Sequence, residues 1–293
     1  MFRGTYTAVV TPFREGAIDF EAYEKLIEGQ IAGGITGVIP VGTTGESPTL
    51  SHDEKTELIR RAKEIVRGRC QVLAGTGSNS TAAAIAATKE AEAIGVDGAL
   101  VVAPYYNKPS QEGLVRHFAA IARATKLPIM LYNIPARCGI DVAAATVERL
   151  ANECKNIVCI KEASGSVERV SDLRARLPNE FTILSGDDGL TLPFMAVGAV
   201  GVVSVASNLL PAEVSALVRA FMSGDVAGAQ KLHRRLGGLF KDLFIEPNPV
   251  PVKTALAWRG LMTSEVRLPL CEMSEANAAR LRATLDAFEK SAA

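Results

Sequence analysis

Short apolar runs rich in β-branched residues alternate along this chain with longer segments of helical periodicity, and this alternation restricts the fold more than any other feature. Eight runs are predicted to be strands: 5–10, 37–41, 71–75, 98–103, 128–132, 157–161, 181–185 and 200–205. A helical segment follows each run, which is the pattern of a parallel sheet. The count of eight favours an α/β fold of the (β/α)8 TIM barrel type.

An open, doubly wound sheet is the alternative fold. A Rossmann fold would require Gly-x-Gly-x-x-Gly after an early strand, and the nearest match, which starts at Gly75 and Gly77, has Ser80 in place of the third glycine. The chain also contains no Gly-x-x-x-x-Gly-Lys-Ser/Thr motif. Nucleotide binding therefore has weak support.

The last seventy or so residues show no strand pattern. Amphipathic helices are predicted at 225–244, 251–259 and 274–290, with proline-containing segments between them. The sequence therefore predicts two domains, a catalytic barrel over 1–224 and a C-terminal helical annex over 225–293. No linker composition precedes the annex, so we expect it to pack against the barrel.

Charge and cysteine usage narrow the function and its compartment. Lysine plus arginine equals aspartate plus glutamate, at 32 each, so no overall field attracts nucleic acid or an acidic membrane. No signal peptide and no membrane-spanning run is recognised. Five cysteines without a C-x-x-C spacing are typical of free thiols in a reducing cytoplasm. We expect a cytoplasmic protein that binds a small molecule.

Lys161 is the first candidate for catalysis. The apolar run 157–160 is typical of a strand buried on both faces, and Lys161 follows it directly. Burial would lower the pKa of this lysine from about 10.4 and leave free amine, which attacks ketones. The plainer interpretation is that Lys161 meets water where the strand ends and pairs with Glu162.

Other strand ends carry groups that could act with this amine, because the carboxyl ends of barrel strands meet at one face. The second strand leads into Gly42-Thr43-Thr44-Gly45-Glu46-Ser47, a turn that can hold a carboxylate or phosphate. The fourth strand precedes Tyr105 and Tyr106, and the fifth ends at Tyr132, with Arg137 shortly after it. The plainer interpretations are an ordinary tight turn, half-buried tyrosines and a solvated arginine.

Paired aspartates, Asp187 and Asp188, follow the seventh strand. A metal site is one interpretation, but no third carboxylate or histidine stands at a suitable spacing, so helix N-capping is preferred. An amine, a phenol, a hydroxyl-rich turn and an arginine are what an imine-forming aldolase needs. That chemistry requires no metal and no organic cofactor.

The chain resembles the dihydrodipicolinate synthase and N-acetylneuraminate lyase family of pyruvate-dependent class I aldolases. The resemblance rests on the 42–47 turn, Tyr132-Asn133-Ile134-Pro135, Ile160-Lys161-Glu162-Ala163 and the segment 246–253, and it covers the whole chain. It implies that Lys161 forms a Schiff base with pyruvate and that Tyr132 is the general acid and base. It further implies that Thr43 relays protons between Tyr132 and a Tyr106 contributed by a neighbouring subunit.

The resemblance also implies the substrate contacts. Thr44 and the backbone around Val203 would hold pyruvate, and Gly186 would lie at the same pocket. Arg137 would bind the carboxylate of aspartate semialdehyde, which the pyruvate enamine attacks on the way to a heterocyclic precursor of diaminopimelate and lysine. A homotetramer built from two dimers is the expected assembly.

A lysine-effector site is also implied, formed by Ser47, His52, Asn79 and Tyr105. Two positions depart from the pattern of lysine-regulated members, which often have a histidine where Lys55 stands and commonly a glutamate where Ala83 stands. Since the effector's ammonium would lose an acceptor, we expect weak or absent inhibition by lysine.

Two rival functions remain open at this stage. One is another pyruvate-dependent aldolase or dehydratase of the same family that acts on sugar acids, against which Arg137 is the distinguishing residue. The other is a non-catalytic barrel that binds a keto acid. A non-catalytic barrel should have lost the reactive amine or its proton relay, yet Lys161, Tyr132, Thr43 and Tyr106 are all present.

Overall fold

The computed structural model describes residues 2–291, and ten strands form the β structure of this part of the chain. They are β1 (Gly4–Ala8), β2 (Phe13–Arg14), β3 (Ala17–Ile18), β4 (Gly37–Ile39), β5 (Gln71–Gly75), β6 (Gly98–Val102), β7 (Ile129–Asn133), β8 (Ile157–Glu162), β9 (Thr182–Ser185) and β10 (Gly201–Ser204). Residue 1 and residues 292–293, the outer ends of the two predicted domains, lie outside the described part.

Eight of these strands close into a parallel barrel. The pairing order runs from β4 through β10 to β1, and β1 pairs in turn with β4, so the barrel has no free edge. The predicted (β/α)8 TIM barrel is therefore confirmed. Every predicted strand is present, and its ends agree with the structure to within two residues.

Helices lie between successive barrel strands and continue beyond the last one. They are α1 (Phe20–Ala32), α2 (His52–Val66), α3 (Thr81–Ile94), α4 (Gln111–Arg123), α5 (Pro135–Cys138), α6 (Ala144–Glu153), α7 (Val167–Arg176), α8 (Thr191–Ala196), α9 (Pro211–Met222), α10 (Val226–Asp242), α11 (Val250–Trp258) and α12 (Glu275–Lys290). Asp19 caps α1, and Ser51 with Glu54 forms the capping box of α2.

The short hairpin β2–β3 was not predicted. It follows β1 and is turned by Glu15 and Gly16, which both have positive φ. That geometry is the one that two-residue hairpin turns require. The hairpin carries Phe13, whose side chain is fully buried.

Two apolar layers make up the core, and strand alternation assigns side chains to them. One layer fills the barrel interior and includes Met130, Tyr132, Cys159 and Val203. The other lies between strands and helices and includes Ile160. Because successive side chains of a strand point to opposite faces, Lys161 points into the barrel.

Three helices, α10, α11 and α12, follow the last barrel unit. Helix α10 packs against α9 and against α12, and α11 packs against α12. No helix among residues 2–291 combines the length and the apolar character that crossing a membrane requires.

Candidate active site

The amine of Lys161 lies in a dry environment at the end of β8. The residue is 6% exposed. Burial lowers the pKa of Lys161 to about 7, while the charge of Asp188 acts to raise it and that of Arg137 to lower it. A substantial fraction of this amine is therefore free base near neutral pH. The plainer interpretation of Lys161 as a solvated partner of Glu162 is wrong, because Glu162 is fully buried and pairs with Arg169 at 2.8 Å.

Tyr132 stands beside this amine on the neighbouring strand. It is directly opposite Lys161 in the β7–β8 register, and the Lys161 Nζ lies 4.0 Å from the centre of the Tyr132 ring. Burial raises the pKa of the Tyr132 phenol, and Arg137 and a hydrogen bond with the Thr43 side chain partly oppose that rise. The phenol is therefore protonated near neutral pH and is placed to give or take a proton.

Glycine at position 186 leaves room for the lysine side chain. A Cβ at this position would lie 2.7 Å from the Ala163 Cβ and 3.1 Å from the Lys161 Cε. Val203 on β10 has a buried side chain that belongs to the same interior layer as Tyr132. The structure thus brings Gly186, Val203 and Tyr132 to the part of the barrel that holds Lys161.

The turn 42–47 follows β4 after residues 40 and 41 and carries two threonines. Its entry is a strained backbone, since Val41 has a φ of 61°. A Cβ on Gly75 of the next strand would lie 2.3 Å from the Val41 carbonyl oxygen, so only glycine allows this approach. Thr43 lines the cavity above the barrel, whereas Thr44 is buried and accepts a hydrogen bond from Asn248 Nδ2 at 3.0 Å.

Arg137 belongs to the short helix α5 that follows β7. Its side chain lines the same cavity as Thr43 and Tyr132, and its charge lowers the pKa of both Tyr132 and Lys161. A guanidinium in this position can bind a carboxylate with two parallel hydrogen bonds. The plainer interpretation of Arg137 as solvated surface is incomplete, because this exposed side chain faces the cavity.

This cavity has a volume of 460 Å³ and extends from Tyr132 outward between α2 and α3. Three of the four predicted effector residues line it, namely Ser47, His52 and Tyr105, as do Lys55 and Ala83. The fourth, Asn79, is not among the lining residues, and its carbonyl accepts a hydrogen bond from the Asn107 side chain. One continuous cavity therefore joins Tyr132 to the predicted effector region. Lys161, Thr44, Gly186 and Val203 are not among its lining residues.

Tyr106 is the predicted site residue that the structure places apart from the others. Its side chain is 89% exposed and its φ is 72°, a left-handed conformation that only a minority of non-glycine residues adopt. Tyr106 is not among the residues that line the cavity of its own protomer. The tyrosine next to it, Tyr105, does line that cavity.

The aspartate pair has a different role from the predicted helix N-cap. The N-cap residue of α8 is Leu190, and no side chain caps this helix. Asp187 instead accepts hydrogen bonds from the backbone N–H groups of Gly189 and Leu190 in the turn before the helix. Asp188 is buried and accepts from the N–H groups of Val205 and Ala206, both at 2.9 Å. It thereby ties the end of β9 to the end of β10, beside the lysine.

Sequence reasoning missed two buried ionic contacts around the site. Glu46, at the end of the 42–47 turn, pairs with Lys253 from α11 at 2.7 Å, and both side chains are at most 1% exposed. Glu162 is bound by Arg169 and also accepts from the Asn133 side chain at 3.1 Å. The only signal for the first contact was the segment 246–253, which the resemblance singled out without a role.

Known proteins resemble this chain in both sequence and fold. The model of the dihydrodipicolinate synthetase family matches residues 1–288. A 4-hydroxy-tetrahydrodipicolinate synthase from Sorangium cellulosum is 54% identical over 275 residues, which are 93% of this chain and 91% of the relative.

Two solved structures extend this similarity. The 4-hydroxy-tetrahydrodipicolinate synthase of Methylacidiphilum fumariolicum SolV is 61% identical with a TM-score of 0.98, over 99% of this chain and 97% of that one. The chloride-inhibited dihydrodipicolinate synthase of Acinetobacter baumannii, solved in complex with pyruvate, is 41% identical with a TM-score of 0.96, over 99% of both chains.

Proposed function

This chain belongs to the dihydrodipicolinate synthetase family, and from this membership we propose how its residues divide the work of the reaction. The chain is a lyase that condenses pyruvate with L-aspartate 4-semialdehyde to 4-hydroxy-tetrahydrodipicolinate. This is the first committed step of diaminopimelate and lysine biosynthesis. The rival interpretation as an aldolase or dehydratase of sugar acids is not favoured, since relatives at about half identity carry the synthase name.

Lys161 supplies the nucleophile in this proposal. Its free amine attacks the ketone carbon of pyruvate, and the carbinolamine loses water to give an imine. Removal of a proton from the methyl carbon then gives an enamine. The observation that carries the proposal is the buried Lys161 amine, with its pKa lowered to about 7, lying 4.0 Å from the Tyr132 ring.

Tyr132 moves the protons that these steps require. A phenol is able to donate a proton to the departing water and to accept one later, and Thr43 links it to the cavity. Tyr106 from a neighbouring subunit completes the relay, which is supported by its exposed, outward-directed side chain. Thr44 and the backbone around Val203 hold the pyruvate moiety, with Gly186 beside the Schiff base.

Arg137 binds the second substrate. Its guanidinium holds the carboxylate of the semialdehyde in the cavity while the enamine attacks the aldehyde carbon. The amino group of the same substrate then displaces Lys161 from the imine and closes the ring. The lysine is thereby released as the free amine for another cycle.

The proposal also covers the domains, the assembly, the cellular location and the effector site. We infer a catalytic barrel over 1–224 with a helical domain over 225–293, and a homotetramer formed by two dimers in which each Tyr106 serves the adjacent site. We infer a cytoplasmic location, which agrees with the five cysteines being free thiols. We also infer that Ser47, His52, Asn79 and Tyr105 are remnants of an effector site that binds lysine poorly.

Borohydride trapping tests this proposal directly. Reduction of the chain in the presence of pyruvate should attach one pyruvate-derived group to Lys161, located by peptide mass analysis. The adduct should be absent in Lys161→Ala and retained in Lys25→Ala, a control at an exposed lysine of α1. An adduct on another lysine, or none in the unchanged chain, would refute the assignment of the nucleophile.

A further inference from the structure

The turn that carries Thr43 and Thr44 is held from outside the barrel by the segment 246–253. Asn248 donates from Nδ2 to the Thr44 Oγ1 at 3.0 Å. Lys253 donates from Nζ to the Glu46 Oε1 at 2.7 Å. These contacts bridge more than 200 positions of sequence, and they are made to residues 44 and 46 of the same short turn.

Glu46 depends on this support because of its backbone. Its φ of 54° and ψ of 35° place it in the left-handed region. Residues other than glycine rarely adopt this backbone conformation unless their surroundings impose it. Both carboxylate oxygens are occupied, Oε1 by Lys253 and Oε2 by the backbone N–H of Arg267 at 3.0 Å. The carboxylate therefore fixes the end of the turn from two sides.

Lys253 has no alternative position for its charge. Its side chain is fully buried, and its Nζ donates to the Thr11 carbonyl at 2.9 Å in addition to Glu46. The same Nζ lies 4.4 Å from the centre of the Phe13 ring. Burying an ion pair contributes little net stability compared with well-packed apolar residues, so its value here lies in specifying one geometry.

Asn248 acts on the hydroxyl that faces the substrate pocket in the proposed function. Because the amide donates to the Thr44 oxygen, the Thr44 proton is directed away from Asn248 and remains available to another acceptor. The Asn248 Oδ1 is buried and has no hydrogen-bond partner among residues 2–291. The hydrogen bond to Thr44 is therefore the one that the Asn248 side chain makes among these residues.

We propose that Asn248 and Lys253 are positioning residues for the condensation: Asn248 directs the Thr44 hydroxyl toward the carboxylate of pyruvate, and Lys253 holds Glu46 so that Thr43 stays beside Tyr132. This inference rests on the proposed function, since it assigns Thr44 to pyruvate and Thr43 to the proton relay. It gives the segment 246–253 a role in the chemistry, although its residues lie outside the barrel.

A double-mutant cycle tests Asn248. Asn248→Leu keeps the volume and removes the donor, and it should raise the KM for pyruvate about tenfold, the effect of one lost hydrogen bond. Thr44→Val should raise the KM to a similar extent. If Asn248 acts through Thr44, adding Asn248→Leu to Thr44→Val should change the KM no further. Independent, additive effects or an unchanged KM in Asn248→Leu would overturn the inference.

A charge-removing pair of substitutions tests Lys253. Lys253→Met alone leaves a buried carboxylate unpaired and should lower the Tm sharply. The double variant Lys253→Met/Glu46→Gln should recover most of the Tm, yet its kcat should stay about tenfold or more below that of the unchanged chain, because the turn is no longer fixed. Recovery of both Tm and kcat would reduce the pair to a structural role and overturn the inference.

Matched controls separate this inference from the proposed function. The same substitutions in an exposed pair on α1, Lys25→Met/Glu21→Gln, should change neither kcat nor Tm appreciably. Pyruvate trapping on Lys161 by borohydride should persist in every variant at saturating pyruvate. If trapping is intact and the kinetic constants of the Asn248 and Lys253 variants equal those of the unchanged chain, only the positioning role is refuted. If the unchanged chain is not trapped, the proposed function is refuted.

Discussion

Burying Lys161 destabilises the folded chain while it makes the amine nucleophilic. The pKa of this lysine is lowered to about 7 in the folded state, and its ordinary value of 10.5 applies when the chain is unfolded. Each unit of lowering costs about 1.4 kcal/mol at pH values where both states are charged. The unfolded chain binds the additional proton between these two values, so folded stability rises with pH across that window.

Replacing Lys161 with methionine should therefore stabilise the protein. We expect Lys161→Met to have a higher Tm than the unchanged chain, with the largest difference below pH 7 and a progressively smaller one toward pH 10. Thermal unfolding of both proteins at a series of pH values measures this difference, in which the other titrating groups cancel. A difference that does not depend on pH would show that the amine is charged in the folded state.

Arg137 should affect one substrate much more than the other. Arg137→Ala removes the carboxylate fork and should raise the apparent KM for aspartate semialdehyde about tenfold or more, with less than about a twofold change for pyruvate. Initial rates with each substrate varied in turn give both values. Arg137→Lys keeps the charge without the fork, so its KM for aspartate semialdehyde should lie between those of the unchanged chain and Arg137→Ala. Equal increases for both substrates would contradict this role of Arg137.

Residues that follow a buried strand could be predicted from the sequence, whereas buried charges could not. Lys161 and Tyr132 lie near the ends of their strands and Thr43 lies in the turn after β4, and the barrel topology brings these positions together. Glu46 and Lys253 carry charges that a sequence reader expects at the surface, and they are 207 positions apart. No local pattern indicates that two such residues meet in the interior.

At the level of elements, we expect the cavity between α2 and α3 to determine the response to lysine. Lys55 on α2 is half-buried, lines this cavity and makes no ion pair among residues 2–291, and burial lowers its pKa. Ala83 on α3 offers no acceptor to an ammonium group. A bound lysine would thus bring its own cation toward Lys55 and lack a partner for it.

Free lysine should consequently inhibit this enzyme weakly or not at all. Initial rates measured over a titration of lysine at fixed substrate concentrations test this expectation. Lys55→His/Ala83→Glu, which restores the pattern of regulated members of the family, should be inhibited at lower lysine concentrations than the unchanged chain. Potent inhibition of the unchanged chain would contradict the argument from charge.

The regular elements could be predicted because their periodicity is long enough to read. Eight strands and the barrel helices follow from apolar spacing, and their caps follow from Asp19 and Ser51. The hairpin β2–β3 escaped prediction because each of its strands has two residues and its turn uses Glu15, which is uncommon at positive φ. Short elements of this kind depend on tertiary contacts such as the burial of Phe13.

At the scale of the whole molecule, Tyr106 predicts that the active site is shared between subunits. Mixing Tyr106→Phe with Lys161→Ala places an intact lysine and an intact tyrosine in the same site of each mixed dimer. Half of randomly paired dimers are mixed and each has one complete site, so activity should reach about a quarter of that of the unchanged protein. Rates before and after subunit exchange measure this. Activity equal to the average of the two separate variants would contradict a shared site.

Contacts between distant parts of the chain also fix when during synthesis the enzyme is complete. β1 pairs with β10, and Glu46 near the start of the chain pairs with Lys253 near its end, so each contact forms only after the later residue has been synthesised. A chain whose synthesis stops after residue 240 would already contain Lys161, Tyr132, Thr43 and all eight barrel strands. That nascent product would lack the lysine for Glu46 and the amide for Thr44, so premature termination yields a polypeptide that possesses the nucleophile without a finished pocket around it.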